Sequence, residues 1–456
     1  MIAVLFLVAL LVVALVFAAV GGPQLPIAAI VALCLLFAAF FCAGIYIAAA
    51  LGILGLLVGF TFSDRPFWLF LGGAVWGPSS NFVFVAVPLF LLMGEILLRA
   101  GLSERLYRAL NAWLGPLPGG LLHTNVVSCG IFSAISGSSV ATAATMGSVA
   151  LPYFANTRYD PKVVLGSLAA GGALGNLIPP GITFIVYGLL TETSVGKLYV
   201  AAVGPSILVM VLFLGVIVWH GMRTGAVDRG PPTSLGAKLK ALVDLVPTAV
   251  LILVVLGSIY SGLATPTEAA ALGVVGSAVF AALDGKLGFA LLNKSAEATA
   301  RSTAFIGLII FGAYILNFVL TTLQVPQAMA QLVSKLPLPA WGVMALIIFF
   351  YLALGTFMEG FSMVITTIPV VFPIVKGLGY DPIWFGVIVT MVIEIAMISP
   401  PDGTVLYVLH GMRPKPGPIS DIFVGVIPFM LVYMAAVYIV LLVPDIALWL
   451  PRNFGR

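Results

Sequence analysis

The sequence predicts an all-α polytopic membrane protein built on an inverted internal repeat, with two re-entrant hairpins and two broken transmembrane helices. Three observations predict it. The 456 residues are 62% hydrophobic and 8% charged, against about 25% charged in soluble domains. The mean hydropathy is +1.20. Apolar runs of roughly twenty residues, the length that spans a bilayer, follow one another along the chain, and the residues that interrupt them recur at a fixed interval.

In chain order, residues 1–20 read as a first membrane helix rather than a leader, because no basic segment precedes the apolar run and no A-x-A cleavage site is clear. Further spans are expected at 26–61 (one long or two short), 83–100, 198–220, 244–263, 267–283, 303–323 and 419–443. Polar stretches at 221–243 and 284–302 read as loops. Stretches 118–155, 162–191, 339–376 and 383–410 are apolar but interrupted by Gly and Pro. Cys34, Cys42 and Cys129 are odd in number and scattered, and His123, His220 and His410 lie far apart. Neither set predicts a disulfide framework or a metal centre. The net charge of +4 says nothing of nucleic acid in a membrane protein.

The interrupted stretches come in pairs. Pro116, Pro152, Tyr159-Asp160-Pro161, Pro179-Pro180, Thr183 and Gly204 recur as Pro337, Pro373, Tyr380-Asp381-Pro382, Pro400-Pro401, Thr404 and Gly425, always 221 residues later. One match would be chance; ungapped register through so many breakers is an internal repeat, and paired Gly/Pro-interrupted segments mark the binding site of secondary transporters. Threading the spans inverts the second copy relative to the first. Most of the 20 Lys and Arg, among them Arg99, Arg105, Arg158, Lys162, Arg413 and Lys415, then fall on the cytoplasmic side. Arg65, Lys197, Lys335, Lys376, Arg452 and Arg456 fall outside, as the positive-inside rule expects. The domain plan is scaffold helices at 1–100, a first repeat at 101–220, linker and scaffold helices at 221–300, the inverted repeat at 301–443 and a tail at 444–456.

The breakers free backbone groups at mid-membrane. Pro179 and Pro180 lack N–H donors and push the preceding residues out of helical geometry. The first broken helix should therefore end near Gly175 in bare carbonyls and restart near Pro180 or Gly181 in bare amides. Carbonyl ends suit Na⁺ and amide ends suit a carboxylate. The hairpin stretches "SAISGSSVATAAT" (133–145) and "GTFMEGFSMVITT" (355–367) supply the facing surfaces, with tips at Ser136–Ser139 and near Glu359–Ser362. Each tip is expected to meet the break of its own repeat, Gly175–Gly181 in the first and Ser399–Gly403 in the second. The candidate Na⁺ ligands are Ser136, Ser138, Gly175, Asn176 and Pro179 at the first junction, and Gly355, Thr356, Glu359, Ser399, Pro400 and Gly403 at the second. The candidate substrate contacts are Ser139, Thr142, Gly181, Thr183, Ser362, Met363 and Thr404.

Other polar residues have readings of their own. Glu359 and Glu394 are intramembrane carboxylates, functional by default. Glu359 is read as an ion-coupling or gating group, and Glu394 as either that or the partner of a group inside the bundle. Glu95 and Arg99 read as an i,i+4 pair, Thr265 with Glu268 as a capping box, Asp402 as a half-helix N-cap and Arg301 as an interface anchor.

At "SGSSVATAATMGSVALP" (136–152), "GNLIPPGI" (175–182), "ATPTEAAALG" (264–273), "MEGFSMVITTIPVVFPI" (358–374) and "ISPPDGTVLYV" (398–408) the chain resembles the large membrane subunit of a TRAP (tripartite ATP-independent periplasmic) transporter. The resemblance covers nearly the whole length. It implies an elevator-type transporter of the bacterial inner membrane that imports a small carboxylate, an organic acid or acidic sugar, with a Na⁺ gradient. It implies two partners, expected as separate chains: a small four-helix membrane subunit and a periplasmic solute-binding protein. It implies no enzyme. The rivals are a stand-alone Na⁺- or H⁺-coupled dicarboxylate carrier, a channel lined by the broken helices, and an intramembrane serine hydrolase using "SGSS" with His123. The last leaves the repeat unexplained.

Overall fold

A computed structural model describes residues 45–62, 67–154, 157–224, 234–335, 337–355, 358–401 and 403–454, with short pieces at 35–36 and 39–40. The expected helix over 1–20, residues 26–34, 37–38 and 41–44 of the stretch 26–61, and Cys34, Cys42, Arg65, Thr356, Asp402 and Arg456 lie outside the described residues.

All regular elements among the described residues are helical. Ile47–Phe62, a single 3-10 turn with Leu71–Ser79, and Ala86–Arg99 come first. Leu102–Leu114 follows the last at a bend of 68°. The bend is made by Gly101, whose φ of +75° only glycine adopts freely. The first hairpin comprises Gly120–Ser136 and Ser139–Phe154, and the first broken helix comprises Pro161–Gly172 and Ile182–Thr191. Val195–Thr224, Leu235–Tyr260, Pro266–Leu283, Phe289–Thr322 and the short Val325–Ser334 lead to the second hairpin, Ala340–Gly355 and Gly360–Gly377. The second broken helix, Pro382–Met397 and Thr404–Gly411, then Ser420–Leu442 and Asp445–Phe454, complete the chain. Six helices among the described residues are long and apolar enough to cross a bilayer.

Among the described residues, much of the polar stretches read as loops is helical, at 221–224, 235–243 and 289–302, while 225–233 lie outside the described residues. Ser234 caps the helix that starts at Leu235, accepting from Ala237 N–H at 3.2 Å. Phe289–Thr322 runs through the second stretch, with Glu297 and Arg301 paired 2.7 Å apart on its exposed face. Polarity there marks the medium facing the helix, not its end. Arg301 is thus one half of an i,i+4 pair. The expected tail is also a helix, Asp445–Phe454, docked so closely that a Cβ on Gly204 would strike the carbonyl of Ile446.

The repeat register holds at the level of caps. Asp160 and Asp381 each cap a broken helix through a carboxylate, and Pro161 and Pro382 each occupy its first turn. The Pro179-Pro180 and Pro400-Pro401 bonds are both cis. The inversion is visible in which ends meet. Tyr187 Oη, near the exit of the first broken helix, donates to the carbonyl of Pro382, at the entry of the second, at 2.7 Å. At the opposite end Arg413 and Pro414 line a cavity of about 150 Å³ with Tyr159 and Pro161. Two helices whose starts adjoin each other's ends are antiparallel. The two copies are locked by a backbone crossing: a Cβ on Gly166 would strike Gly425 O, and one on Gly425 would strike Lys162 O.

Three of the basic residues expected on the cytoplasmic side, Arg105, Lys238 and Lys286, make contacts with neighbouring elements. Arg105 bridges both oxygens of Asp284 at 2.8 Å, Lys286 donates to Ala100 O at 2.6 Å, and Lys238 sits over Trp113. Tyr107, in the helix of Arg105, packs tilted against Tyr153 at 5.0 Å, next to the Phe154–Tyr159 ring pair that precedes the first broken helix.

Candidate functional site

Each broken helix is clamped by both hairpins. The first half of the first broken helix packs on its own hairpin and its second half on the second hairpin, where Tyr187 meets Phe372 edge-on at 6.1 Å. The second broken helix mirrors this, its last part lying on the first hairpin, where Leu409 is 2.8 Å from the position of a Cβ on Gly147. The two breaks therefore lie inside one shared core.

At the first junction the hairpin turns at Gly137, whose φ is +59°. A Cβ there would fall 2.5 Å from the carbonyl of Pro180, and the Gly137 carbonyl accepts the N–H of Ile182 at 3.2 Å, the first helical residue after the break. Gly175 lies so close to the backbone of Ser139 that a side chain would strike it. Gly181 caps the second half, and its missing side chain leaves room for Asn176 O. Ser136 and Thr142 share a hydrogen bond of 2.6 Å, Ser138 sits half-buried at the tip as a weak cap, and Thr183 is buried in the second half. The helical geometry ends at Gly172, earlier than the expected Gly175, and resumes at Ile182. The first junction thus brings Gly137 to Pro180 and Ile182 and Ser139 to Gly175 and Asn176, while Ser136 and Thr142 pair within the hairpin and, among the described residues, no hydrogen bond across the junction involves Pro179 or Thr183.

At its centre a hydrogen-bonded cluster joins the two repeats. Ser139 Oγ donates to Glu394 Oε2 at 2.6 Å and accepts from the backbone N–H and the Nδ2 of Asn176 at 3.2 and 2.9 Å. Asn176 Nδ2 also donates to Glu394 Oε1 at 2.9 Å. Glu394 has no exposed surface. Tyr433 Oη reaches the carbonyl of Ala173 at the end of the first half-helix, and Ser206 Oγ reaches that of Leu177 within the break. Asn176 Oδ1 is buried with no hydrogen-bond partner.

The second junction differs in detail. Its second arm starts at Gly360, and Glu359 caps that arm by accepting from the N–H groups of Phe361 and Ser362 at 3.1 and 3.3 Å. A Cβ on Gly355 would strike Ala396, and one on Gly360 would lie 2.7 Å from Ile393. Among the described residues the two arms of this hairpin thus lie against the last turns before the break, at Ile393 and Ala396, the latter the repeat counterpart of Gly175. Ser399 and Pro400 are half-buried in the break, Gly403 caps the second half, and Thr404 Oγ1 is buried without a partner. Ser362 and Met363 are buried in the second arm.

The sequence flagged Glu394 by its cost in the membrane, but its partners come from 255 and 218 residues away, and no spacing rule points to them. The expected pairs Glu95–Arg99, at 3.0 Å, and Thr265–Glu268, a complete capping box, are both present.

Residues 8–446 match the family model described as "Tripartite ATP-independent periplasmic transporter, DctM component". The C4-dicarboxylate TRAP transporter large permease protein DctM of Pseudomonas aeruginosa is 35% identical over 380 residues, 83% of this chain and 88% of its own. The sialic acid TRAP transporter large permease protein SiaM of Vibrio cholerae is 28% identical over 415 residues, 90% of this chain and 94% of its own. Among solved structures, the Alcanivorax borkumensis YdaH transporter superposes with a TM-score of 0.63 at 16% identity, covering 91% of this chain and 98% of that one. That likeness speaks for the fold alone. The matched permeases are transporter subunits, not enzymes, so the hydrolase reading falls.

Proposed function

The chain belongs to the DctM-component family of tripartite ATP-independent periplasmic transporters, an inner-membrane permease family, and from that premise we propose that it couples entry of Na⁺ to import of a small carboxylate. A periplasmic binding protein delivers the substrate, and a small membrane subunit completes the permease. The two hairpins and two broken helices move together as a transport domain against the remaining scaffold helices.

One observation carries this reading: at both junctions a hairpin closes on a broken helix, and beside each break lies a buried oxygen with no partner, Asn176 Oδ1 and Thr404 Oγ1. Buried polar atoms are nearly always bonded, and hard oxygen atoms beside bare carbonyls suit Na⁺. The amide ends of the second half-helices, at Gly181 and Gly403, suit an anionic group. A carboxylate is the anionic group proposed because the two relatives above are named for a C4-dicarboxylate and sialic acid.

The test is uptake into proteoliposomes holding the chain with its small subunit, with the binding protein outside. Saturable uptake that requires both Na⁺ and the binding protein is expected, and weaker Na⁺ dependence in Ser138→Ala, Pro179→Ala and Glu359→Gln. Uptake without the binding protein favours the stand-alone carrier, and conductances of channel size exclude a carrier. Wild-type Na⁺ dependence in all three variants removes the assignment of these ligands.

A further inference from the structure

Glu394 is the one fully buried carboxylate among the described residues, and its hydrogen bonds can be counted to completion. The Ser139 hydroxyl has two lone pairs and one proton. Both lone pairs are taken by the N–H and the amide of Asn176, so the proton goes to Glu394 Oε2. The second amide proton of Asn176 goes to Oε1. A protonated Glu394 would give Ser139 a third donor and leave its own hydroxyl proton without an acceptor. The arrangement therefore fits an ionised carboxylate. It also fixes the Asn176 amide, whose Oδ1 is turned from the carboxylate and left unpartnered.

Both partners of this carboxylate are neutral. An ionised group in a low-dielectric core, held only by neutral donors, is costly without a balancing charge. The titratable groups near enough to act on it are Glu359, on the second hairpin, and the Tyr433 phenol. Neither brings positive charge. The first repeat has no carboxylate of its own to offer its junction. From Gly120 to Thr191 the one acidic residue is Asp160, committed to capping, and the repeat counterpart of Glu394 is Ala173. The second junction differs, because Glu359 stands at its own hairpin tip.

We infer that Glu394 is the counter-charge of the cation bound at the first junction, lent to it across the repeat boundary by the second broken helix. This rests on the Na⁺ coupling proposed above. It makes the two junctions alike in charge, one carboxylate each, although the residues that supply it are not repeat equivalents. It also ties both breaks to one bound ion, because Asn176 and Ser139 from the first repeat and Glu394 from the second are held in a single cluster.

The experiment uses the purified full-length chain with Na⁺ alone as probe. Thermal unfolding is followed as Na⁺ replaces choline at constant ionic strength, since a ligand of the folded state raises Tm by mass action. Wild-type Tm should rise saturably. Glu394→Gln should move the midpoint to higher Na⁺ by about 10–100-fold, the scale of losing a group that orients or balances an ion site. Asn176→Ala should do the same, and the double variant should be no worse than the stronger single one. Glu394→Asp, which keeps the charge, should fall between. A wild-type Na⁺ midpoint in Glu394→Gln, even with a lower Tm in choline, overturns the inference and leaves Glu394 a packing group. If neither Glu394 variant folds, an unchanged midpoint in Asn176→Ala overturns it. A wild-type chain with no Na⁺ response takes the Na⁺-coupling reading down as well, whereas a response kept in the variants sinks this inference alone.

Discussion

Gly175 shows what one hydrogen atom in place of a side chain does here. Its backbone lies against that of Ser139, and a Cβ would strike main-chain atoms that cannot swing aside. Gly175→Ala should push the first hairpin off the break, costing about 1–3 kcal/mol by overpacking. Thermal unfolding would read the loss, and uptake should fall with it. Thr265 is a contrast, far from both junctions. Its hydroxyl accepts the N–H of Glu268 at 3.3 Å while the Glu268 carboxylate returns to the Thr265 N–H at 2.8 Å. Thr265→Ala should cost about 1 kcal/mol and leave the Na⁺ midpoint for uptake unchanged. Both roles have sequence signals of different strength. A capping box is written in four consecutive residues, whereas Gly175 announces a close approach without saying to what.

Helix by helix, the breakers do two separate jobs. At the paired prolines they end one half-helix and start another, which composition alone foretells because proline removes a donor and bars helical geometry before it. At Gly166 and Gly425 they let helices touch through their backbones, as small residues do where lipid offers no hydrophobic drive for association. Gly425→Ala should part the first broken helix from Ser420–Leu442. The expected result is a Tm drop matching about 1–3 kcal/mol, larger than for alanine at Gly411, where a Cβ meets nothing. The misread loops belong to this scale too. Residues 235–243 and 289–302 are polar enough to resemble linkers, yet Ser234 caps the one and the Glu297–Arg301 pair laces the other. Hydropathy locates the membrane boundary, and helices cross it.

Over the whole molecule, the inversion fixes which loops share a side. Tyr159 and Arg413 meet at one end, and Tyr187 and Pro382 at the other. A membrane-impermeant maleimide added to intact cells should therefore label Ser194→Cys, in the exposed turn before Val195–Thr224, and miss Lys415→Cys. Inverted vesicles should give the reverse. Labelling of both from one side would refute the topology. The same inversion explains why each break is closed by both hairpins: antiparallel broken helices bring the restart of one beside the hairpin of the other.

The sequence by itself determined the membrane class, the number and register of the repeats, and the positions of hairpins and breaks, because each is a property of local composition or of spacing along the chain. It also flagged the costly groups, Glu359, Glu394 and Asn176. Only the tertiary structure decided which of them meet. It seated Glu394 of the second repeat on Ser139 and Asn176 of the first, set Gly355 of the second hairpin against Ala396, and docked Asp445–Phe454 on Gly204. These are contacts between segments two hundred residues apart, set by how inverted copies interlock, and the asymmetric substitutions that tune them carry no periodicity to read.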